Sequence, residues 1–231
     1  MPLINKMRYV KQIVLFKTKK HGEYDLKEAK NARISLPFSK YKGSKIIIIH
    51  DIDNKGFESE LHEMVELEKK KKIKSIFMLL PHTMYYGHMF RNEVGIHETF
   101  PYRFKKHYKS FVKFGMKPIS FSQHVAIKAT NFYPLTLNAL PKEIKYAFVD
   151  PVSFGYKRNY VLNYRPMKYK NITMLSVVSE PTKKDIDAVL KGCAKEKGVI
   201  AFNFHPGHFK KGDKYFPKNG DNFLHLLKKL R

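Results

Sequence analysis

A single cysteine, Cys193, stands among the 231 residues, and tryptophan is absent. One cysteine excludes an internal disulfide, and it excludes a zinc site built from several thiolates. The apolar pattern around Cys193 predicts a helix, and we expect its thiol to be buried, as free cysteines usually are. Phenylalanine and tyrosine, with 18 and 14 residues, supply the aromatic part of the core instead.

Long hydrophobic runs are also missing. A membrane-spanning helix needs roughly 20 apolar residues in succession, and no stretch comes near that length. The first 20 residues mix lysine and arginine with short apolar pieces, without the apolar core and cleavage site of a signal peptide. We therefore expect a cytoplasmic protein. The alternative is a protein that also makes peripheral contact with an anionic membrane.

Acidic residues are scarce. The chain has 20 Asp and Glu against 45 Lys and Arg, a formal net charge of +25. Such an excess attracts polyanions such as acidic glycans, nucleic acid or anionic lipid headgroups. Because the lysines are spread along the whole chain, a lysine-rich composition without function is the alternative interpretation. No nucleic-acid-binding module pattern occurs, so no specific nucleic-acid partner is predicted.

The chain contains no internal repeat and no flexible linker, and we interpret residues 1–231 as a single domain. Residues 45–50 (KIIIIH) form a β-branched run without alternation, which is typical of a strand buried on both faces. A helical pattern to Lys72 and an apolar strand at 75–80 follow, which together make a βαβ unit. Strands and helices continue to alternate, and this order predicts an α/β barrel or a doubly wound sheet.

Three polar clusters lie at predicted strand ends, at 50–53 (HDID), 93–97 (EVGIH) and 205–208 (HPGH). In parallel α/β folds, functional groups collect at the carboxyl ends of strands. Carboxylate and imidazole together bind zinc, iron, cobalt or manganese and leave a position open for water. The metal lowers the pKa of that water, while a further carboxylate and histidine act as base and acid. These groups suit the hydrolysis of an amide or ester.

The three motifs, in this order, resemble those of the polysaccharide deacetylase family (carbohydrate esterase family 4, CE4). The resemblance is stronger to a divergent branch whose first motif is His-Asp-x-Asp, and it covers residues 45–210. It implies a distorted (β/α) barrel of about seven mostly parallel strands. It also implies N-deacetylase activity on an amino sugar and a divalent metal. We expect zinc, and iron, cobalt, manganese and nickel are the alternatives.

The resemblance also implies roles for individual residues. Asp51 is the expected general base and His205 the general acid, while Asp53 and His97 are metal ligands; the roles of Asp51 and Asp53 are interchangeable at this stage. The expected substrate is an N-acetylated or N-formylated sugar of a surface glycan or its lipid-linked precursor. An acidic glycan is one of the alternatives. A backbone N–H near Thr99 is expected to bind the oxyanion.

The sequence departs from the family pattern at the third metal ligand. A second histidine shortly after His97 is missing, because the expected positions hold Phe100 and Pro101. We favour His124 as the substitute, and the alternatives are His107, His208 or an additional water on the metal.

Two residues are predicted to bind substrate. Arg165 is part of a loose match to the family's Arg-Pro-Pro motif, and His208 closes the third cluster. Two other hypotheses remain open. The positive charge favours a metal-dependent phosphoesterase, and the missing histidine favours a barrel that has lost its metal and binds a glycan or polyanion.

Overall fold

The structure, a computed structural model, describes residues 27–29, 32–123, 137–149, 164–209 and 218–230. Ten strands and five α-helices are assigned in these ranges. The strands are β1 (Lys27–Glu28), β2 (Ser39–Tyr41), β3 (Ser44–Ile52), β4 (Ile76–Leu79), β5 (Glu93–His97), β6 (Ser120–Ser122), β7 (Tyr146–Val149), β8 (Met167–Tyr169), β9 (Ile172–Ser179) and β10 (Val199–Asn203). The helices are α1 (Glu58–Lys70), α2 (Tyr85–Phe90), α3 (Phe104–Lys113), α4 (Lys183–Glu196) and α5 (Asn219–Lys229).

A closed barrel of parallel strands forms the centre of the fold. Neighbouring strands follow the order β9-β10-β3-β4-β5-β6-β7, and β7 pairs with β9 to close the ring. Every pairing within this ring is parallel. The short strands β1, β2 and β8 join the outside of the ring by antiparallel pairings. The predicted distorted barrel of about seven mostly parallel strands is confirmed.

The isoleucine run lacks alternation because both faces of β3 are buried. Ile47 and Ile49 pack inside the barrel, where they belong to the same cluster as Tyr146 of β7. Ile46 and Ile48 pack outside the barrel against α4 and α5. An aliphatic strand is therefore stabilised from two sides, and its carboxyl end is fixed for the residues that follow.

The amino-terminal mouth of the barrel is closed by the segment that precedes β2. Ile34 and Leu36 are buried in the interior cluster. Between them, the Ser35 N–H donates to the Tyr146 hydroxyl at 3.0 Å. With this end filled by apolar side chains, the polar groups of the barrel collect at the opposite, carboxyl-terminal mouth.

Helix α4 shows how the outer layer is anchored. Its N-cap Thr182 and Asp185 form a capping box, in which the Thr182 N–H donates to the Asp185 carboxylate at 3.0 Å. Cys193 lies on the inner face of this helix and is fully buried, which confirms the prediction for the thiol. Burial raises the pKa of Cys193 to about 11. None of the helices described is both long and apolar enough to cross a membrane.

Candidate active site

The carboxyl-terminal mouth of the barrel brings together four residues that the sequence predicted to be functional. Asp51 and His97 lie at the ends of β3 and β5, while Asp53 and His205 lie just beyond β3 and β10. His97 Nε2 lies 3.1 Å from Asp53 Oδ1, and His205 Nε2 lies 3.8 Å from Asp53 Oδ2. His205 Nε2 also lies 3.7 Å from Asp51 Oδ2. Two carboxylates and two imidazoles therefore face one small space.

The Asp51 carboxylate is held by two neutral donors. Ser122 Oγ donates to its Oδ1 at 3.0 Å, and Asn203 Nδ2 donates to its Oδ2 at 2.7 Å. Asn203 also accepts the Asp51 N–H, at 3.2 Å, so the two residues are linked twice. Only 7% of Asp51 is exposed. Neutral donors fix the orientation of this carboxylate without neutralising it, which is suitable for a base.

Ser122 also determines the tautomer of His97. Its single hydroxyl proton goes to Asp51, since a carboxylate only accepts. The contact of 2.6 Å between Ser122 Oγ and His97 Nδ1 must then use a proton on Nδ1. In the neutral imidazole this leaves a lone pair on Nε2, which faces Asp53 Oδ1 at 3.1 Å. Two electron-rich atoms at this separation are arranged to share a cation.

The His205 imidazole is held by Glu180, which follows β9. Glu180 Oε1 lies 2.5 Å from His205 Nδ1 and accepts the His205 N–H at 2.7 Å. Glu180 has a left-handed backbone conformation with φ of 47°, uncommon for this residue type. Burial lowers the pKa of His205, but the hydrogen bond that His205 Nδ1 donates to Glu180 and the charges of Asp51, Glu180 and Asp53 outweigh it. The pKa rises from 6.5 to about 9, so His205 carries a proton at neutral pH and can act as an acid.

The structure describes two of the predicted metal ligands, Asp53 and His97. Asp53 and His97 are adjacent and oriented as a ligand pair, but no group of three metal-ligating side chains occurs among the residues that the structure describes. His124, the favoured third ligand, lies outside the described residues. Of the alternatives, His107 pairs with the buried Glu98 carboxylate, whereas the His208 ring lies 5.6 Å from that of His205. The donor pair thus suits a divalent ion, and His124 as third ligand stays a prediction.

The structure places Arg165 away from the four residues of the candidate site. Arg165 lies beside the start of β10, where the neighbouring Tyr164 carbonyl accepts the Val199 N–H at 2.7 Å. This is the end of β10 opposite to His205, because Val199 begins that strand and His205 follows its last residue, Asn203. The Arg165 guanidinium contacts Glu28 and Glu196 there, at 3.0 and 3.5 Å. These contacts do not support a role in substrate binding, which stays a prediction.

The prediction that a backbone N–H near Thr99 binds the oxyanion needs correction. The Thr99 N–H already donates to the carboxylate of Glu98 at 2.8 Å, and the Phe100 N–H donates to the same oxygen at 3.0 Å. These amides are occupied and do not point at a substrate carbonyl. His208, in contrast, stands beside His205 at the mouth of the barrel, so its predicted contact with substrate stays a prediction.

Three residues of the site were not predicted. Ser122 ends β6, Asn203 ends β10, and Glu180 follows β9. Each is a polar residue at the end of an apolar strand, which is the signal that marked the aspartates and histidines. Ser122 and Asn203 do not stand out in the sequence, because a hydroxyl or amide at a strand end is also common where there is no active site.

Comparison with known proteins gives similarity in structure only, since no family model and no curated protein matches the chain. A Bordetella bronchiseptica protein described as a polysaccharide deacetylase involved in O-antigen biosynthesis has a TM-score of 0.51, at 16% identity over 80% of this chain and 81% of its own. A Mycobacterium smegmatis protein described as a polysaccharide deacetylase has a TM-score of 0.47, at 9% identity over 86% and 87%. A CE4 family pseudoenzyme from Bacillus anthracis has a TM-score of 0.38, at 13% identity over 80% and 60%. The closed parallel barrel of this chain is thus the (β/α) barrel fold of the polysaccharide deacetylases.

Proposed function

We propose that this protein is a metal-dependent hydrolase that removes an N-acyl group, acetyl or formyl, from an amino sugar. The observation that carries the proposal is the placement of Asp51 and His205. A carboxylate held by neutral donors and an imidazole held in its protonated form lie 3.7 Å apart at one mouth of the barrel. Amide hydrolysis needs such a base and such an acid on the same reacting group.

Each member of this pair has its own task. Asp51, an acceptor fixed by Ser122 and Asn203, takes the proton of the attacking water. His205, protonated and oriented by Glu180, gives its Nε2 proton to the departing amine. Because an amine leaves poorly without a proton, the raised pKa of His205 keeps the acid charged at neutral pH.

Asp53 and His97 would hold the metal ion, with His124 as a proposed third ligand. When bound, a divalent ion polarises the acyl carbonyl and makes a nearby water more acidic. The chain contributes the geometry, because Ser122 keeps the His97 Nε2 lone pair directed at the ion. Zinc is the ion we propose first.

The catalytic roles are tested by release of acetate from N-acetylated chitooligosaccharides, and of formate from the formyl analogue. Asp51→Asn and His205→Ala should each lower kcat by a factor of about 100 or more. Asp187 and His225 offer a matched control, because they form a similar pair, 3.0 Å apart, on the outer helices α4 and α5. Asp187→Asn and His225→Ala should keep full activity. Full activity in folded Asp51→Asn and His205→Ala protein would overturn the assignment.

The substrate is proposed to be a surface glycan or its lipid-linked precursor. The description of the B. bronchiseptica protein names O-antigen biosynthesis and so favours a surface glycan. Helix α3 favours an acidic glycan, because its charged side chains are all basic. Residues 99–117 contain Arg103 and five lysines and no Asp or Glu. Of the described helices with ten or more residues, α3 alone has no carboxylate.

The lysines of α3 form an exposed face that starts near the site and runs along the helix. Lys105, Lys106, Lys109 and Lys113 are all exposed, and none makes an ion pair within the part of the chain described. This face begins just after the loop that follows His97. The half-buried ring of Tyr102 lies at its start, with the Arg103 guanidinium 5.5 Å from the ring centroid. Positive charge beside an aromatic ring complements an acidic saccharide chain.

The proposed lysine face is tested by binding of hyaluronan oligosaccharides, which carry carboxylates and N-acetyl groups in alternation. Replacing the four lysines with Gln should weaken binding about tenfold, if each contributes about 0.3 to 0.4 kcal/mol. Raising the salt concentration should remove most of this difference.

Helix α4 supplies the control for net charge. Lys183, Lys184, Lys191 and Lys195 are exposed there, and replacing them with Gln removes the same number of charges. If both variants lost affinity equally, the binding would reflect the net charge of +25 and not a particular face.

A further inference from the structure

His50, which precedes Asp51, is fully buried and yet uses both ring nitrogens. Its Nδ1 lies 3.0 Å from the Phe204 carbonyl oxygen, and its Nε2 lies 2.8 Å from Glu68 Oε1. The ring packs edge-on against Phe77 and Phe223, with centroids 6.0 and 5.8 Å away. An imidazole in such apolar surroundings is costly unless it is fully hydrogen-bonded, and this one is.

The hydrogen bonds of His50 have a fixed direction. A carbonyl only accepts, so Nδ1 donates to Phe204. The Glu68 carboxylate on α1 accepts from Ser75 Oγ at 2.7 Å on its other oxygen, so one proton is shared between Glu68 Oε1 and His50 Nε2. Glu68 thereby anchors the ring, and the ring presents its Nδ1–H to the barrel strand β10.

The peptide group that joins Phe204 to His205 is held at both of its polar atoms. His50 donates to the Phe204 carbonyl from outside the barrel, while Glu180 accepts the His205 N–H at 2.7 Å from inside. The Phe204 N–H donates to the Ile49 carbonyl at 3.2 Å, which fixes the preceding peptide as well. The plane of this peptide sets the direction in which the His205 side chain leaves the backbone.

We propose that His50, anchored by Glu68, is a positioning residue that orients His205 through the Phe204 carbonyl. The proposal rests on the proposed function, because it takes His205 as the acid that protonates the leaving amine. His50 touches no substrate. Its effect is on the placement of the donated proton, and a displacement of less than 1 Å in an acid is enough to slow proton transfer.

The test uses the leaving group to separate positioning from stability. An amine needs the proton of His205 to leave, whereas nitrophenolate leaves without one. The same protein sample is therefore assayed on an N-acetylated chitooligosaccharide and on p-nitrophenyl acetate. The ratio of the two kcat values does not depend on the folded fraction of the sample, so a merely structural role leaves it unchanged.

Two variants of His50 each keep one of its two hydrogen bonds and remove the other. The amide nitrogen of Asn takes roughly the place of Nδ1, and that of Gln roughly the place of Nε2. His50→Gln should keep the contact with Glu68, lose the contact with Phe204, and lower the amide-to-ester ratio about tenfold at unchanged KM. His50→Asn should keep a ratio close to that of the wild type. Equal ratios in the two variants would overturn the proposal.

A second pair covers the case in which a His50 variant does not fold. Glu68→Gln can still donate to His50 Nε2, so the Nδ1–H stays on the Phe204 carbonyl and the ratio stays high. Glu68→Ala removes the anchor and should lower the ratio, and no difference between the two would also overturn the proposal. If the wild-type protein hydrolysed neither substrate, the proposed function would fail first, and the positioning role would fail with it.

Discussion

His97 Nε2 lies 3.1 Å from Asp53 Oδ1, at the mouth of the barrel where β3 and β5 end. The two side chains belong to strands that are not neighbours, since β4 lies between them. The parallel pairing of β3 with β4 and of β4 with β5 brings the carboxyl ends of β3 and β5 to the same mouth and the two side chains together. The hydroxyl of Ser122 leaves the Nε2 lone pair directed at the carboxylate. For the proposed metal site, we expect the affinity to depend on Ser122, which would not itself touch the ion.

Ser122→Ala should weaken zinc binding about 10- to 100-fold, the usual cost of losing a residue that orients a metal-bound histidine. Without the hydroxyl, His97 can adopt the other tautomer and direct an N–H at the ion. Affinity is measured by competition with a chelator. Ser120→Ala is the control, because Ser120 is buried on the same strand but its hydroxyl lies near Met78. Equal affinities in the two variants would contradict the role of Ser122.

Glu180→Gln should shift the alkaline limb of kcat/KM to lower pH. Burial lowers the pKa of His205, and the hydrogen bond and charge of Glu180, with the two aspartates, raise it to about 9. Removing the carboxylate lowers that pKa, so the acid loses its proton at a lower pH. The pH–rate profile is the measurement, and Glu196→Gln, an exposed carboxylate on α4, is the control. An unchanged limb in the Glu180 variant would show that Glu180 does not set the pKa of His205.

The free energy of unfolding should also depend on the protonation of His205. Because the folded pKa of His205 lies above its ordinary value of 6.5, protonation stabilises the folded state fully below that value. The contribution is lost as the pH rises through about 9. Glu180→Gln should therefore cost more free energy of unfolding near pH 6 than near pH 10, as measured by urea titration at each pH.

The sequence predicted the parts of the site that short motifs carry. Asp51, Asp53, His97 and His205 could be found because an acid or imidazole after an apolar strand is chemically conspicuous. Their mutual distances could not be predicted, since these depend on the strand order and on the closure of β7 onto β9.

Glu180 and Arg165 show why the positions of other side chains could not be predicted from sequence. Glu180 reaches His205 because β9 and β10 are adjacent and because its backbone adopts a left-handed conformation, and neither fact is visible in sequence. Arg165 was placed by a weak motif match. In the structure it lies beside the start of β10, paired with Glu28 and Glu196, and this pairing of distant segments is not visible in sequence.

Gly95 lies two residues before His97 on the same face of β5, and Gly95→Ala should lower the free energy of unfolding by about 1 to 3 kcal/mol. An added Cβ would come within 2.5 Å of both Met78 Sδ and Ser120 Oγ. Since Met78 is flexible, Met78→Val should relieve the crowding, so the double variant should lose less than the sum of the single losses. Urea unfolding measures each value, and simple additivity would contradict a clash with Met78.

Arg165→Ala should leave KM and kcat unchanged and cost no more than about 1 kcal/mol of stability. The side chain is 54% exposed, so its ion pairs with Glu28 and Glu196 are screened by solvent. It lies beside the start of β10, and the five residues of that strand, at about 3.3 Å each, separate it from His205. Activity on the chitooligosaccharide and urea unfolding are the two measurements. A rise in KM without loss of stability would show instead that Arg165 binds substrate.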